Sequence, residues 1–228
     1  MDYKYVQQIA RETMDYARHV IEPGMNLQEL RNLCENKMFE LGADSFWYWG
    51  VGAFVFSGDE TILSISGRNY ITSNRTIQND DIITIDLSPQ CGDTWGDYAR
   101  TIILEDGMAV ELNSIKNVTW KQGLMMEEFL HAELIRFARP ETTFEELYIY
   151  MNDIIRSHGF VNLDFIGNLG HSIVRRKEDR IYIEKGNTHQ LSEAAYFTFE
   201  PHISTASSVY GFKKENIYYF DEGNLKKL

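Results

Sequence analysis

The stretch DIITIDLSPQCGDTWGDYARTIILE, residues 81–105, decides the fold. It contains two runs rich in β-branched and other apolar residues, at 81–87 and 97–104, and each run predicts a β-strand. A turn-forming CGDT segment separates the two runs. Asp86 lies near the end of the first predicted strand and Asp97 opens the second, so two acids are expected on neighbouring strands.

The second half of the chain repeats this arrangement. The segments AYFTFE, residues 195–200, and ENIYYF, residues 215–220, predict another pair of strands. Glu200 closes the first of them and Glu215 opens the second. The two acids are 11 residues apart in the first half and 15 residues apart in the second. Each half therefore offers two carboxylates at corresponding places.

Helical patterns precede both strand pairs. Apolar spacing and terminating residues predict four helices, at about 4–20, 26–41, 110–137 and 143–158. Asn26 and Thr143 each precede a Glu by three residues, which predicts a capping box at the second and fourth helices.

Matching residues in the two halves lie at a constant offset of 117: Pro23 with Pro140, Asn26 with Thr143, Leu30 with Leu147, and Gly42 with Gly159. This offset indicates an internal duplication, although shared helix signals account for some of the matches. The order of elements predicts an α+β fold, in which helices cover one face of a curved, mostly antiparallel sheet. No linker separates the halves, so residues 1–228 are expected to form a single domain with pseudo-two-fold halves at about 1–109 and 110–228.

Composition narrows the function classes. The 228 residues carry a formal net charge of -12, which disfavours binding to nucleic acid. Two cysteines are too few for a disulfide framework and suit a reducing compartment. No signal-peptide pattern is present, and no stretch approaches the roughly 20 apolar residues of a membrane span. We therefore expect a soluble cytoplasmic protein without nucleic-acid or membrane partners.

The four acids at the strand ends require partners, because a carboxylate is costly to bury unless it is paired or binds a metal. If the halves pair about a pseudo-two-fold axis, the four carboxylates converge and need cations. Oxygen ligands with one imidazole suit Mn, Fe, Co or Zn, and two ions roughly 3.5–4 Å apart would satisfy them. His171 is the candidate imidazole, although a lone His is more often structural. The alternative is that the acids are edge charges or turn caps.

Four segments, IDLSPQCGDTWGDYARTI, GHSI, FTFEPHI and GFKKENIYYF, resemble serial motifs of the pita-bread family of methionine aminopeptidases, Xaa-Pro aminopeptidases, prolidases and creatinase. The shared pattern is an Asp closing a strand, an Asp 11 residues later followed by Arg-Thr, then Gly-His, Glu-Pro and a late Glu. The resemblance covers nearly the whole chain. It implies the pita-bread fold in its compact form, without the extra N-terminal domain of larger members.

The resemblance also implies a dinuclear metal site. Asp97 and Glu215 would bridge two divalent ions, Asp86 would complete one ion, and His171 and Glu200 the other. A water or hydroxide between the ions would attack a scissile amide, with Glu200 taking its proton. The implied function is hydrolysis of short peptides by an aminopeptidase or Xaa-Pro-type peptidase.

Two substrate-side histidines of the family are missing at the expected places. Residues 20–130 contain no His, and Glu178 stands seven residues after His171. Loss of an oxyanion donor commonly lowers turnover ~10²–10³-fold. Glu178 is the candidate catalytic residue at the second of these places, although a carboxylate donates only when protonated. His202 is a second candidate catalytic residue, because it should share a strand face with Glu200. A structural role for His202 is an equal alternative.

Other residues could contact a substrate. Arg175 and Arg176 could bind a substrate carboxylate through a bidentate fork, or form salt bridges on a solvated loop. The aromatic segment at 47–49 could wall a pocket, or serve as core or homodimer contacts. Two alternative functions stay open: a hydrolase of non-peptide C–N bonds, as in creatinase, and a non-catalytic binding module.

Overall fold

The computed structural model describes residues 2–228. The described residues form four α-helices: α1 (Tyr3–Val20), α2 (Leu27–Glu40), α3 (Val118–Phe137) and α4 (Phe144–Ser157). The strands of the first half are β1 (Ser45–Phe46), β2 (Ala53–Ser57), β3 (Asp81–Leu87), β4 (Pro89–Cys91), β5 (Thr94–Trp95), β6 (Tyr98–Glu105) and β7 (Met108–Val110). Those of the second half are β8 (Phe160–Asn162), β9 (Ser172–Ile173), β10 (Tyr196–Phe199), β11 (His202–Thr205), β12 (Phe212–Lys213), β13 (Asn216–Asp221) and β14 (Asn224–Lys227).

Two four-stranded sheets carry corresponding strand orders. The order is β2-β3-β6-β7 in the first half and β9-β10-β13-β14 in the second, and every pair is antiparallel. Two three-stranded sheets, β1-β4-β5 and β8-β11-β12, are antiparallel as well. The predicted α+β class is confirmed, and the repeated order agrees with the duplication inferred from the sequence.

The matched helices α2 and α4 retain the sequence offset, because each bound of α4 lies 117 residues after the corresponding bound of α2. Thr143 caps α4 in the predicted reciprocal capping box. Asn26 caps α2 by accepting a hydrogen bond from Gln28 N at 2.8 Å, while its own amide donates to Asn74 O at 3.0 Å. Asn26 thus ties α2 to a loop, and the described residues do not form the reciprocal capping box that the sequence predicts for Asn26 and Glu29.

Alternate side chains along the strands face opposite sides, so that one side packs into the hydrophobic core and the other carries the acids. In β3, Ile83 and Ile85 pack into a core with residues of α1 and α2. In β10, Phe197 and Phe199 pack into a core with residues of α3 and α4. Successive side chains of a strand point to opposite faces. Asp86 therefore projects from the face of β3 opposite to α1 and α2.

The third helix begins later than the sequence predicts. β6 and β7 form a hairpin whose turn residues Asp106 (φ 54°) and Gly107 (φ 79°) both adopt the left-handed conformation. This conformation suits a two-residue hairpin turn. Asn117 then caps α3 by accepting a hydrogen bond from Trp120 N at 3.2 Å. The helix predicted from about residue 110 therefore starts at Val118.

None of the described helices combines the length and the apolar character needed to cross a bilayer.

Candidate metal centre

Three acids from the two halves of the chain lie close together. Asp86 lies in β3, Asp97 directly precedes β6, and Glu215 directly precedes β13. One carboxylate oxygen from each of these residues lies within 4.8 Å of those of the other two. Residues that are far apart in sequence therefore form a single acidic cluster.

Arg100 forms hydrogen bonds between the two halves of the chain beside this cluster. Its Nη1 donates to Ala99 O and to Glu215 O, both at 2.6 Å, and its Nη2 donates to Asn216 Oδ1 at 2.7 Å. Glu215 N in turn donates to Ala99 O at 3.0 Å. These bonds fix the start of β13 against β6, so the backbone that carries Glu215 has one position relative to Asp97.

Burial of the acids makes the cluster unstable without cations. Glu215 is fully buried, and neither of its carboxylate oxygens has a hydrogen-bond partner among the described residues. Burial, together with the charge of Asp97, raises the pKa of Glu215 well above its ordinary value. Burial and the charge of Asp86 likewise raise the pKa of Asp97. An unpartnered buried carboxylate of this kind indicates a site for a bound cation.

His171 presents a lone pair to the same cluster. Its Nδ1 lies 3.1 Å from Ser172 O, which only accepts hydrogen bonds, so Nδ1 carries the proton and Nε2 is free to coordinate. Nε2 lies 3.7 Å from Asp97 Oδ2 and 3.5 Å from Glu200 Oε1. Burial lowers the pKa of His171 to about 4, so the ring is neutral at pH 7. A cation placed between this neutral nitrogen and the two carboxylates could bind all three groups.

Glu200 is oriented by its own strand. Thr198 Oγ1 donates to Glu200 Oε1 at 3.1 Å and accepts from His171 N at 3.0 Å. Burial by itself raises the pKa of Glu200, but the ammonium of Lys213 and the bond from Thr198 bring it below its ordinary value. Glu200 is therefore an ionised carboxylate next to its imidazole neighbour.

Lys213 contributes a cation that the sequence analysis missed. Its Nζ contacts Asp86 Oδ2 and lies 3.4 Å from Glu200 Oε2. Burial alone would lower the pKa of Lys213, but the charges of Asp86 and Glu200 raise it well above its ordinary value. The position of Lys213 two residues before Glu215 was the available signal, because residues two apart on an extended chain share a face.

The structure thus brings together all five residues that the sequence predicts as metal ligands: Asp86, Asp97, His171, Glu200 and Glu215. Four carboxylates with one neutral imidazole form a donor set that suits divalent Mn, Fe, Co or Zn. The orphaned oxygens of Glu215 and the free lone pair of His171 fit bound divalent cations.

A cleft of about 130 Å³ opens onto the cluster. Asp86, Asp97, His171 and Glu200 lie at its polar end, and Trp47 and Tyr48 form part of its wall. A smaller pocket of about 60 Å³, with Phe54 and Phe56 in its lining, adjoins it beside Asp86 and Lys213. The aromatic segment at 47–49 is split, because Trp47 is buried at the cleft whereas Trp49 is 51% exposed.

Three predicted substrate-side residues do not line the cleft. Arg175 Nη2 pairs with Asp93 Oδ2 at 2.5 Å, and Arg176 Nε lies 3.8 Å from Asp179 Oδ2, with both arginine side chains exposed. Glu178 is also exposed. A short 3₁₀ turn at Lys177–Asp179 lies in this segment. The next arginine in the segment, Arg180, does line the cleft, and no pattern in the sequence distinguishes it from its neighbours.

His202 lines the smaller pocket and is buried. Its Nε2 lies 2.7 Å from Thr61 O, which only accepts, so Nε2 carries the proton and is already used. Burial lowers the pKa of His202 to about 4. The ring is therefore neutral at pH 7, and the bond to Thr61 gives it a structural contact between the halves.

The chain is similar in sequence to known peptidases. Residues 2–222 match the family model described as metallopeptidase family M24. Methionine aminopeptidase 1C (chloroplastic/mitochondrial) of Arabidopsis thaliana is 23% identical over 204 residues, covering 88% of this chain and 56% of the relative.

Solved structures of similar proteins share the fold. An X-Pro aminopeptidase from Thermotoga maritima matches with a TM-score of 0.80 at 20% identity, covering 97% of this chain and 58% of that one. A prolidase from Pyrococcus furiosus matches with a TM-score of 0.79 at 20% identity, covering 98% and 61%. The pita-bread fold predicted from the sequence is confirmed, and the chain spans about three fifths of the length of these relatives.

Proposed function

The chain belongs to metallopeptidase family M24, and on that premise we propose that it is a dinuclear metal-dependent hydrolase of short peptides, of the aminopeptidase or Xaa-Pro type. The observation that carries this proposal is Glu215, whose two buried oxygens have no hydrogen-bond partner in the described chain and lie beside Asp86 and Asp97. A carboxylate in that position has a role only when cations are bound.

We assign the five ligands by position. Asp97 and Glu215, the most deeply buried acids of the cluster, would bridge two ions. Asp86 would complete one ion, and His171 with Glu200 would complete the other. Divalent cations held there would supply an activated water and polarise the carbonyl group of the scissile amide.

The protein's own residues perform the remaining steps. Glu200 is ionised, because Lys213 and Thr198 hold its pKa below the ordinary value. As a carboxylate it would accept a proton from the attacking water. The Lys213 ammonium would keep Asp86 and Glu200 oriented in the cluster through their ion pairs. The aromatic walls at Trp47 and Tyr48 would exclude water around the reacting amide.

A short peptide is the substrate class that suits the cleft. Its aromatic wall lies against the polar cluster, since the ring centroids of Trp47 and His171 are 5.7 Å apart. A peptide amide at the acids would therefore have its neighbouring side chain beside that wall.

The test is a substrate panel with defined metal content. The full chain is stripped with a chelator, reloaded with Mn²⁺ or Co²⁺, and assayed with dipeptides, Xaa-Pro tripeptides and peptides with an N-terminal Met. We expect turnover that a chelator abolishes and that Asp97→Asn lacks. Absence of turnover across the panel in protein shown to contain metal would refute the peptidase assignment.

One observation favours a second candidate, a hydrolase of non-peptide C–N bonds. Of the described residues that line the main cleft, His171 is the one imidazole, and it is committed to the cluster. The cleft thus lacks a neutral imidazole donor for a peptide carbonyl. Turnover of small non-peptide amides in the same panel, without turnover of peptides, would select this function.

A further inference from the structure

Asn168 offers an unused hydrogen-bond donor in the main cleft. The residue lines the cleft and is 8% exposed. Its backbone N donates to Asp164 Oδ1 at 3.1 Å, its backbone O accepts from Asn162 Nδ2 at 3.2 Å, and its Oδ1 accepts from Gly170 N at 2.9 Å. Its Nδ2 donates to no group within residues 2–228 and is not sealed inside the protein. The amide NH₂ is thus the polar group of Asn168 that is left for a ligand.

Contacts with the neighbouring strand fix the direction of this amide. Gly170 N is a donor, so the atom of Asn168 that faces it is the oxygen, and the nitrogen points away. A Cβ at position 170 would lie 2.4 Å from Thr198 O, so only glycine fits against the strand there. Leu169 O accepts from Glu200 N at 2.9 Å. The segment that carries the amide therefore packs directly on the residues that carry Glu200.

The other donors of the cleft suit a neutral carbonyl less well. Lys213 Nζ is paired with two acids of the cluster, and Ser88 Oγ donates to a backbone carbonyl. Arg180 is a permanent cation, which divalent ions at the cluster would repel. Tyr182 carries a neutral hydroxyl, but no hydrogen bond within the described chain fixes that group. Asn168 therefore combines a neutral donor with a fixed orientation.

We infer that Asn168 Nδ2 donates a hydrogen bond to the oxygen of the scissile carbonyl, a role for which the cleft has no free imidazole. The inference rests on the proposed function. When water adds to the carbonyl carbon, one proton passes to Glu200 and the C=O π electrons move to the oxygen, which becomes an anion. Collapse of the anion re-forms C=O and breaks the C–N bond, and Glu200 returns the proton to the amine nitrogen. A donor fixed in advance stabilises this anion more than the uncharged carbonyl.

The kinetic test replaces the donor while keeping the size of the side chain. With Ala-Ala as the substrate of Mn²⁺-loaded protein, Asn168→Leu should lower kcat roughly 10²–10³-fold and leave KM nearly unchanged, because the bond is strongest in the transition state. Asn168→His should recover part of the loss, since one ring nitrogen can accept from Gly170 N while the other donates. The exposed Asn113→Leu is the control and should change neither constant.

A binding test separates the donor from a structural role. Mn²⁺-loaded protein is titrated calorimetrically with two analogues of Ala-Ala, one with a tetrahedral phosphinate in place of the scissile amide and one with a CH₂–NH group that lacks the carbonyl. Asn168→Leu should raise the Kd of the phosphinate roughly 10- to 100-fold, as for loss of a charge-assisted hydrogen bond. The Kd of the CH₂–NH analogue should stay at the wild-type value.

Three results would overturn the inference. Equal weakening of both analogues in Asn168→Leu would make the residue structural, and unchanged binding of both would remove it from the site. A loss of phosphinate affinity in Tyr182→Phe, with none in Asn168→Leu, would assign the donor to Tyr182.

Failure of the inference can be told apart from failure of the proposed function. Phosphinate-selective weakening without turnover of any peptide removes the peptidase assignment and keeps the donor. Equal turnover of Ala-Ala by wild type and Asn168→Leu keeps the peptidase and removes the donor.

Discussion

Lys213 Nζ lies 3.4 Å from Glu200 Oε2 while it also contacts Asp86 Oδ2, so one ammonium joins carboxylates that come from the two halves of the chain. This cation partly neutralises the cluster before any metal binds. It offsets the repulsion at Asp86 and Glu200, whereas the oxygens of Glu215 have no hydrogen-bond partner among the described residues.

Replacing Lys213 with Met should destabilise the metal-free protein. Breaking a largely buried ion pair by removing one partner costs about 3 kcal/mol, which corresponds to roughly 6–12 °C in Tm for a chain of this size. Saturating Mn²⁺ should restore most of this loss, because the metal then supplies the missing positive charge. Thermal unfolding with chelator and with Mn²⁺ measures both effects.

Lys213→Arg is the matched control, since it keeps the charge, and should retain most of the metal-free Tm. An unchanged metal-free Tm in Lys213→Met would mean that the ammonium does not stabilise the cluster.

Replacing Glu215 with Gln should raise the stability of the metal-free protein and lower its affinity for metal. The change removes a buried charge that has no hydrogen-bond donor, so the metal-free protein at pH 8 should gain about 1–2 kcal/mol, or roughly 2–8 °C in Tm. Metal affinity should fall at least ~100-fold, because the carboxylate that we propose as a ligand becomes a neutral amide with one oxygen. Calorimetric titration with Mn²⁺ and thermal unfolding check the two halves of this prediction.

The exposed Glu178→Gln serves as the control, since its side chain lies outside the cleft, and should leave Tm and metal affinity unchanged. A drop in the metal-free Tm of Glu215→Gln would show that the carboxylate has a stabilising partner of its own.

Replacing Arg100 with Lys should loosen the metal site without changing any ligand. Arg100 bonds to Ala99 O, Glu215 O and Asn216 Oδ1, and an ammonium cannot reproduce that fork. Metal affinity should fall roughly 10- to 100-fold, as for loss of a residue that orients a ligand. Calorimetric titration tests this, with circular dichroism to verify the fold; wild-type affinity in Arg100→Lys would exclude the positioning role.

His131 should make the metal-free protein sensitive to acid. Its Nε2 lies 3.0 Å from Lys214 O, which only accepts, so Nε2 carries a proton, and its Nδ1 lies 2.7 Å from Tyr218 OH. Burial lowers its pKa well below the ordinary value. The unfolded chain takes up a proton below about pH 6.5 and the folded protein does not. Stability that is complete above pH 6.5 is therefore lost as the pH falls.

His131→Gln should lower the slope of the unfolding free energy against pH by up to about 1.4 kcal/mol per pH unit below pH 6.5. Denaturant unfolding between pH 7.5 and 5 in the presence of chelator measures the slope, and the exposed His158→Gln should retain the wild-type slope. Parallel profiles of unfolding free energy against pH for wild type and His131→Gln would show that His131 titrates alike in the folded and the unfolded protein.

Short-range signals in the sequence predicted a large part of the fold of this protein. Strand-forming runs around Asp86, Asp97, Glu200 and Glu215 and a constant offset between two helix pairs predicted the α+β fold and the acids that meet in it, because strand periodicity and helix punctuation are short-range signals. The choice of His171 came from the family resemblance. The late start of α3 escaped the sequence, since the Asp106-Gly107 turn competes with the helical pattern.

Only the tertiary structure decided which cations face the cluster. Lys213 and Arg180 reach the cleft whereas Arg175 and Arg176 do not, because a loop's path depends on what it packs against and not on its own composition. Trp47, Tyr48 and Tyr182, brought together from distant segments, hold Arg180 inward. Residue type gives a side chain its charge, but the packing of remote neighbours sets where that charge points.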